Sequence, residues 1–556
     1  MKTLHKLLSA LAVIALVLTA CGTPTTVALP PTTAPTTPPT IAPTTSPATT
    51  PTIAPTVAPT PSGPTGELVV ALSAESESMD PYFVYQSAGN SIMNAIFDTL
   101  LSVDSDGNIG TMGLAESFTV VDDTTIQFDL RTGITFHNGE AFTADDVKFS
   151  VDRIKNPDLA SGLAGQYESI ESVEVVDDAT VIFKLSKADA AFFPNLATLQ
   201  IVPMDYVTEV GDAVFATTPV GTGPFKFVEW VKDDHTLLEA NPDFWAGSWK
   251  GGPLVETVRF RPIPDAAQRI NEVTTGGVHI AMDLPADQTG ALEGTAAEPV
   301  YKDDGGNFEI WFTANNTGTL TEDPDKTDAQ ALALEALQKL AVRMALNMAV
   351  DRATIIETLL GGYGQPMTNL FVPGDIGNDP AIPAYEYDPD TARQMISDAG
   401  YPDGLTIDMD VCTCDRLDPI EAVVAQLADV GVTVNIKPFE LATFNDDWIA
   451  GKTNPFRSSK LGLGLDPNTY LLYWVRSGVL LSRYSNAEVD GLIDEQAITL
   501  EPDARADLLR QIGALSHDDP PALFLWTAGS LYAKAIDVDW APHKLGYVPV
   551  FNVAVP

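Results

Sequence analysis

From about residue 67 onward the chain switches between two periods of hydrophobic patterning. Residues 67–72 (ELVVAL) are a short apolar run that predicts a strand. Residues 117–131 (SFTVVDDTTIQFDLR) alternate apolar and polar positions about Asp122-Asp123, and residues 172–185 (SVEVVDDATVIFKL) repeat that construction, so each predicts a β-hairpin. Residues 100–110 (LLSVDSDGNIG) read as strand, turn and strand. The other period is helical. In residues 143–154 (TADDVKFSVDRI), Thr143 is placed to cap, Asp145 and Asp146 fall in the first turn, and Val147, Val151 and Ile154 form a stripe. Residues 327–360 predict a long helical stretch broken near Val350-Asp351. Residues 387–401 predict a capped helix ending at Gly400, residues 418–439 a helix then a strand, and residues 486–519 two further helices. Hairpins early and helix–strand units later make this an α/β chain of more than one lobe, because the length exceeds what one core holds.

The N-terminal region follows neither period. Lys2 and Lys6 precede an apolar run from Leu7 to Leu18, with small Thr19-Ala20 before Cys21. This is the layout of a secretory signal over residues 1–20, too short for a membrane span of about 20 apolar residues. Leu18-Thr19-Ala20-Cys21 also resembles the bacterial lipobox, which implies a lipid anchor on Cys21. Residues 21–66 then form a linker that is almost entirely Thr, Pro, Ala and Ser, a composition that favours extended polyproline II and cannot bury a core. Together they place the protein outside the cytoplasm, tethered to the outer face of the cell membrane or in the periplasm.

Charge removes one class of partner. The chain carries 75 acidic against 31 basic residues, a formal net charge of −44, so nucleic acid is excluded as a partner. No G-x-S-x-G, H-E-x-x-H, P-loop or G-x-G-x-x-G pattern occurs, and no cofactor is expected. Asp104, Asp106 and Asn108 only superficially match a calcium loop and read as a hairpin turn. His137 lacks a base-orienting partner in sequence and reads as a turn residue. Gly361-Gly362-Tyr363-Gly364 follows a helix and reads as its stop. Cys412 and Cys414 leave three readings open: free thiols, a C-x-C disulfide, or a metal site, the last lacking any histidine nearby in sequence.

Seven ordered blocks carry a resemblance. They begin with MDPYFVYQSAGNSIMNAIFDTLLSVDSDGNI at Met79 and LAESFTVVDDTTIQFDLRTGITFHNGEAFTADDVKFSVDRI at Leu114. PVGTGPFKFVEW with LLEANPDFW, then IWFTANNTG, follow. VRMALNMAVDRATIIETLLGGYGQPM, YEYDPDTARQMISDAGYPDG and SRYSNAEVDGLIDEQ complete the series. In this order they resemble the extracellular solute-binding proteins of family 5, the dipeptide and oligopeptide group that serves ABC importers. The resemblance spans essentially all of 67–550. It implies a three-lobed, type II periplasmic-binding-protein fold with mixed sheets and a hinged cleft. The first lobe would comprise 67–97, 217–312 and 527–556, the second the insertion 98–216, and the third 313–526. Chain crossings near 312 and 526 would form the hinge, with ligand held between the first and third lobes.

The implied function is a non-catalytic, monomeric receptor that captures peptides or related small solutes and delivers them to permease subunits. An oligosaccharide, opine or metal chelate is the alternative ligand, and a surface hydrolase using paired carboxylates the alternative class. Candidate ligand residues follow by resemblance. Dipeptide-type members place a Trp and an amine-binding Asp before an x-D-P segment. In SSKLGLGLDPNTYLLYW those positions are occupied by Lys460 and Leu463, with Asp466 in the D-P pair, where a capping role is the simpler reading. Without that carboxylate a peptide amine loses its anchor. Asp415 and Arg416 in CTCDRLDP align near the carboxylate-binding Arg of the group. Ser76, Glu77 and Tyr85 lie at the mouth of the first lobe, with Glu77 a substitute amine partner, and Trp311 and Asn315 lie by the first crossing.

Overall fold

A computed structural model of the chain describes residues 63–313, 327–449, 452–462, 464–478, 482 and 484–556. The signal-like segment, Cys21, most of the Thr/Pro linker, Asn315 and Leu463 lie outside the described residues.

Three large sheets carry most of the described architecture and take in the two Asp-Asp hairpins and the helix–strand unit, while the strand–turn–strand at 100–110 forms a separate two-stranded pair, Ser102–Val103 with Ile109–Gly110. A seven-stranded sheet runs in the order Ala297–Lys302, Ser530–Ala535, Ile280–Ala281, Glu67–Leu72, Thr257–Pro262, His235–Ala240, Phe225–Val231. Its central strand, Glu67–Leu72, is parallel to both neighbours, and the flanking pairs are antiparallel. A four-stranded antiparallel sheet joins the two predicted hairpins, Ala115–Asp122 with Thr125–Leu130 and Ile170–Asp177 with Thr180–Leu185. Alternation sets its buried face: Ile126, Phe128, Val181 and Phe183 point inward, and the Phe128 and Phe183 rings meet edge to face at 5.3 Å. A five-stranded sheet has the order Val432–Phe439, Leu405–Cys412, Phe456–Gly462, Gly306–Phe312, Ala522–Thr527.

The strand Gly306–Phe312 differs from the sequence-based boundary at residue 312. It pairs with Phe456–Gly462 and Ala522–Thr527, so the chain leaves the seven-stranded sheet at Asp303–Gly305. Every residue of this strand is buried: Phe308, Ile310 and Phe312 enter one core, while Asn307, Glu309 and Trp311 face the other side. Alternation announces a strand but is silent on which sheet receives it. The return crossing lies at Ala528-Gly529, between Ala522–Thr527 and Ser530–Ala535. The two crossings touch, since the Ala528 amide donates to the Gly306 carbonyl at 2.8 Å. The contact is too close for side chains: a Cβ on Gly306 would lie 2.5 Å from the Ala528 carbonyl oxygen, and one on Gly529 2.4 Å from that of Lys302.

The long helical stretch divides into Asp328–Gln338, Leu340–Met348 and Arg352–Leu359. The break at 350–351 is the expected one, with Asp351 capping by accepting from the Thr354 amide at 3.0 Å. The break at Lys339 has a tertiary cause: the Arg343 guanidinium donates to the Leu337 carbonyl at 2.7 Å, and Lys339 Nζ to the Ala399 carbonyl at 3.0 Å. The helix Ala144–Lys155 starts where the capping pattern puts it, with the Asp146 carboxylate accepting from the Thr143 amide at 2.9 Å. Its Arg153 is buried against Asp80 of the opening block at 2.5 Å and also meets Asp212 at 2.7 Å. Asp104 closes the 104–108 turn by accepting from the amides of Asp106 and Asn108 at 2.9 Å each. His137 clamps the glycine-rich PVGTGPF segment: the Gly221 amide donates to its Nδ1 at 3.3 Å and its Nε2 lies 2.9 Å from the Gly223 carbonyl. Burial pushes this imidazole down to about 4, so it holds the turn as a neutral ring.

Candidate binding cleft

The seven- and five-stranded sheets face a common space at the carboxyl ends of their parallel strands. Glu67–Leu72 ends at Ser73 and Ile280–Ala281 runs on to Asp283 on one side. On the other, Leu405–Cys412 ends at the 412–416 loop, and Phe456–Gly462, parallel to it, ends at Gly462. Crevices outside the carboxyl ends of parallel strands are where open α/β sheets hold ligands, because the loops there fan away from a rigid edge.

Two chambers meet in this space. The polar one, about 550 Å³, is lined by Ser73, Tyr85, Asp283, Asp304, Ser530 and Lys544 across from Lys460 and Gly462. Ser73 Oγ donates to Asp283 Oδ2 at 2.5 Å, and Asp304 accepts from Ser530 Oγ and, at 3.3 Å, from the Gly306 amide. Burial pushes the Asp304 carboxyl above the usual carboxylate range. The second chamber, about 220 Å³, is lined by aromatic rings and by the 414–416 loop. Phe308 and Trp526 stack with centroids 5.4 Å apart, and Tyr301 and Tyr363 meet at 5.3 Å. Lys460 lines both chambers.

Cys412 and Cys414 are joined by a disulfide, which selects one of the three readings open from the sequence. Among the described residues no cluster of His, Cys, Asp and Glu could hold a metal ion. Cys412 is buried in the strand end while Cys414 lines the aromatic chamber, so the bridge ties the loop to the sheet. Asp415 then accepts from Ser458 Oγ at 2.8 Å, with its carboxyl pushed up by burial. Arg416 reaches back to Asp418 at 2.6 Å and Asp287 at 3.5 Å, the second on the far wall of the cleft.

Asp466 accepts from the Asn468 amide at 2.8 Å and forms a two-pronged ion pair with Arg505 at 2.6 and 2.7 Å. It also lines a third cavity of about 470 Å³ shared with Gly162, Gln166 and Asn195. Tyr85 is half exposed, and its hydroxyl accepts from the Gly162 amide at 3.2 Å. Ser76 is buried and donates to the Ser78 carbonyl at 2.7 Å, and Glu77 is exposed; neither lines the two chambers. Trp311 is fully buried behind the five-stranded sheet, 6.4 Å from Trp474, and does not line them either. On that hidden face Tyr470 Oη lies 3.1 Å from Glu309, whose carboxyl is pushed up to about 8 by burial.

Sequence reading did not select Asp283, Asp304, Lys544 or the four rings of the aromatic chamber. Their signal is tertiary, since they come together only at the strand ends and crossings.

The family model described as bacterial extracellular solute-binding proteins, family 5 Middle, matches residues 111–480. This chain belongs to that family. As a family 5 protein it is an extracytoplasmic substrate-binding protein of the ABC-importer class. The glutathione-binding protein GsiB of Salmonella typhimurium is similar at 26% identity over 509 residues, 86% of this chain and 93% of the relative. Heme-binding protein A of Haemophilus influenzae is similar at 27% over 473 residues, 79% of each chain. In structure, the periplasmic binding protein DppA of Helicobacter pylori, in complex with peptide STSA, superposes with a TM-score of 0.73 at 24% identity, covering 88% of this family 5 chain and 98% of its own.

Proposed function

We propose that this family 5 protein captures a peptide or peptide-like small solute between its seven- and five-stranded sheets and hands it to the permease of an ABC importer. The observation that carries this reading is the pair of adjoining chambers at the carboxyl ends of both sets of parallel strands, one polar and one aromatic. A polar chamber of about 550 Å³ suits a backbone with charged ends, and the aromatic one a side chain. The names of the relatives, for glutathione and heme, and the peptide in DppA support a solute of this size and chemistry. The lobes divide at the two crossings, 303–305 and 528–529, and the protein binds without turnover as a monomer. It is anchored through lipid on Cys21, with residues 21–66 as the spacer.

The test is incubation of the purified protein with mixed di- to pentapeptides, followed by native mass spectrometry and product analysis. The expected result is a retained, chemically unchanged peptide. Hydrolysis products would favour the carboxylate-dependent hydrolase, and retention of only a saccharide or metal chelate from a cell extract would overturn the peptide assignment. Mass analysis of membrane-extracted protein should find diacylglycerol on Cys21, which Cys21→Ala abolishes.

A further inference from the structure

Lys460 stands apart from the other cations of the cleft. Lys544 pairs with Asp375 at 3.4 Å and Arg416 with Asp418 at 2.6 Å. Among the described residues no acid lies within ion-pair distance of the Lys460 ammonium. Two carboxylates, Asp304 and Asp415, are near enough for its charge to favour their ionised forms, but each already accepts hydrogen bonds elsewhere, from Ser530 and Ser458. The lysine is also rigidly carried. It sits within the strand Phe456–Gly462, in register with Phe308, so its ammonium is presented from a sheet rather than a loop.

Its position joins the chambers. One side is the polar space with Asp283 and Ser530, and the other is the aromatic one with the stacked Phe308 and Trp526 rings. The net charge of −44 repels an acidic solute at long range. The exposed Lys460 ammonium, with no acid in ion-pair contact, sets a positive charge at the junction against that background, where it can form a charge-assisted hydrogen bond with a solute.

We propose that Lys460 is the anion anchor of the cleft: the captured solute carries a carboxylate, or an equivalent acidic group, that meets the Lys460 ammonium, with an apolar or aromatic portion beside it between Phe308, Trp526, Tyr301 and Tyr363. This rests on the solute-receptor reading and deepens it by naming the chemistry of one end of the solute. The carboxylates Asp283 and Asp304 across the polar chamber leave room for a cationic group at the other end.

The test compares wild type with Lys460→Met and Lys460→Arg, each first shown by thermal melting to fold as the wild type does. Two libraries of phenylalanine-containing tri- and tetrapeptides serve as probes, one as free acids and one as C-terminal amides, with retention read by native mass spectrometry. The expected result is that wild type retains the acids roughly tenfold or more over the amides, that Lys460→Met loses the preference, and that Lys460→Arg keeps it. Equal retention of acids and amides by wild type, or an undiminished preference in Lys460→Met, overturns the anchor and leaves the peptide receptor standing. If neither peptide library is retained, the peptide assignment fails. A library of aromatic and sugar carboxylates then decides the anchor: retention by wild type and loss in Lys460→Met supports it, and no retention by wild type overturns it.

Discussion

Glu309 shows what a single side chain is asked to do in this protein. Its carboxyl is fully buried on the hidden face of the five-stranded sheet, and burial, opposed by the hydrogen bond that Tyr470 donates, pushes it up to about 8. Folded protein therefore holds a proton at neutral pH that the unfolded chain, with an ordinary carboxylate, has released. The native state binds more protons between the unfolded value and about 8, so its stability falls as pH rises through that window and is fully present below it. Glu309→Gln keeps the shape and removes the proton exchange. The expected outcome is a melting temperature that declines less steeply from about pH 5 to pH 8 than in wild type, checked by thermal unfolding across that range; an unchanged slope would refute it. At this scale the sequence was informative where a residue's role is local. Asp466 was legible as a cap, and the Asn468 amide bonds to it, but its two-pronged pairing with Arg505 comes from a helix well downstream. Trp311 was read as a cleft residue because it stands near a crossing, yet strand alternation turns it to the buried side. The rings that do line the aromatic chamber, Phe308 and Trp526, come from opposite ends of the third sheet's sequence and meet only through strand pairing.

Among elements, the hairpins and helices were the most legible features because their periodicity and caps are written within a dozen residues. Both Asp-Asp hairpins, the Thr143-capped helix and the helix–strand unit at 417–439 appear within a residue or two of where patterning puts them. What patterning could not convey was membership. Gly306–Phe312 reads as a strand in any context, and its place in the five-stranded sheet is decided by partners at 456–462 and 522–527. The crossing elements carry a prediction of their own. In Gly306→Ala the added Cβ would lie 2.5 Å from the Ala528 carbonyl oxygen, a backbone atom that can yield only if both strands shift. The substitution should cost about 1–3 kcal/mol, as overpacking does, and lower affinity for any captured solute as well. Urea unfolding and a binding titration check it, and an unperturbed protein would mean that the two crossings have more slack than their geometry allows.

For the whole molecule, the cleft is bridged by contacts between distant parts of the chain. Lys544, near the C-terminus, reaches Asp375 at 3.4 Å, and burial pushes that carboxyl up to about 6. Lys544→Met should loosen this bridge without unfolding either sheet. Faster hydrogen exchange in residues 371–378 and 543–547, with little change in the strands, is the expected readout; uniform exchange would place the closing contacts elsewhere. The two crossings set how such loosening can proceed. Because they lie side by side and are bonded through the Ala528 amide and the Gly306 carbonyl, they act as one strap rather than two independent tethers. A single strap permits a swing about one axis and resists shear and twist, like a book opening on its spine. If the proposed lobes swing about that strap, the rims of the cleft part on the side away from residues 303–306 and 528–529. In the proposed receptor, solute would then enter and leave by that one edge, and the outline offered to a docking membrane complex would differ between the open and shut book.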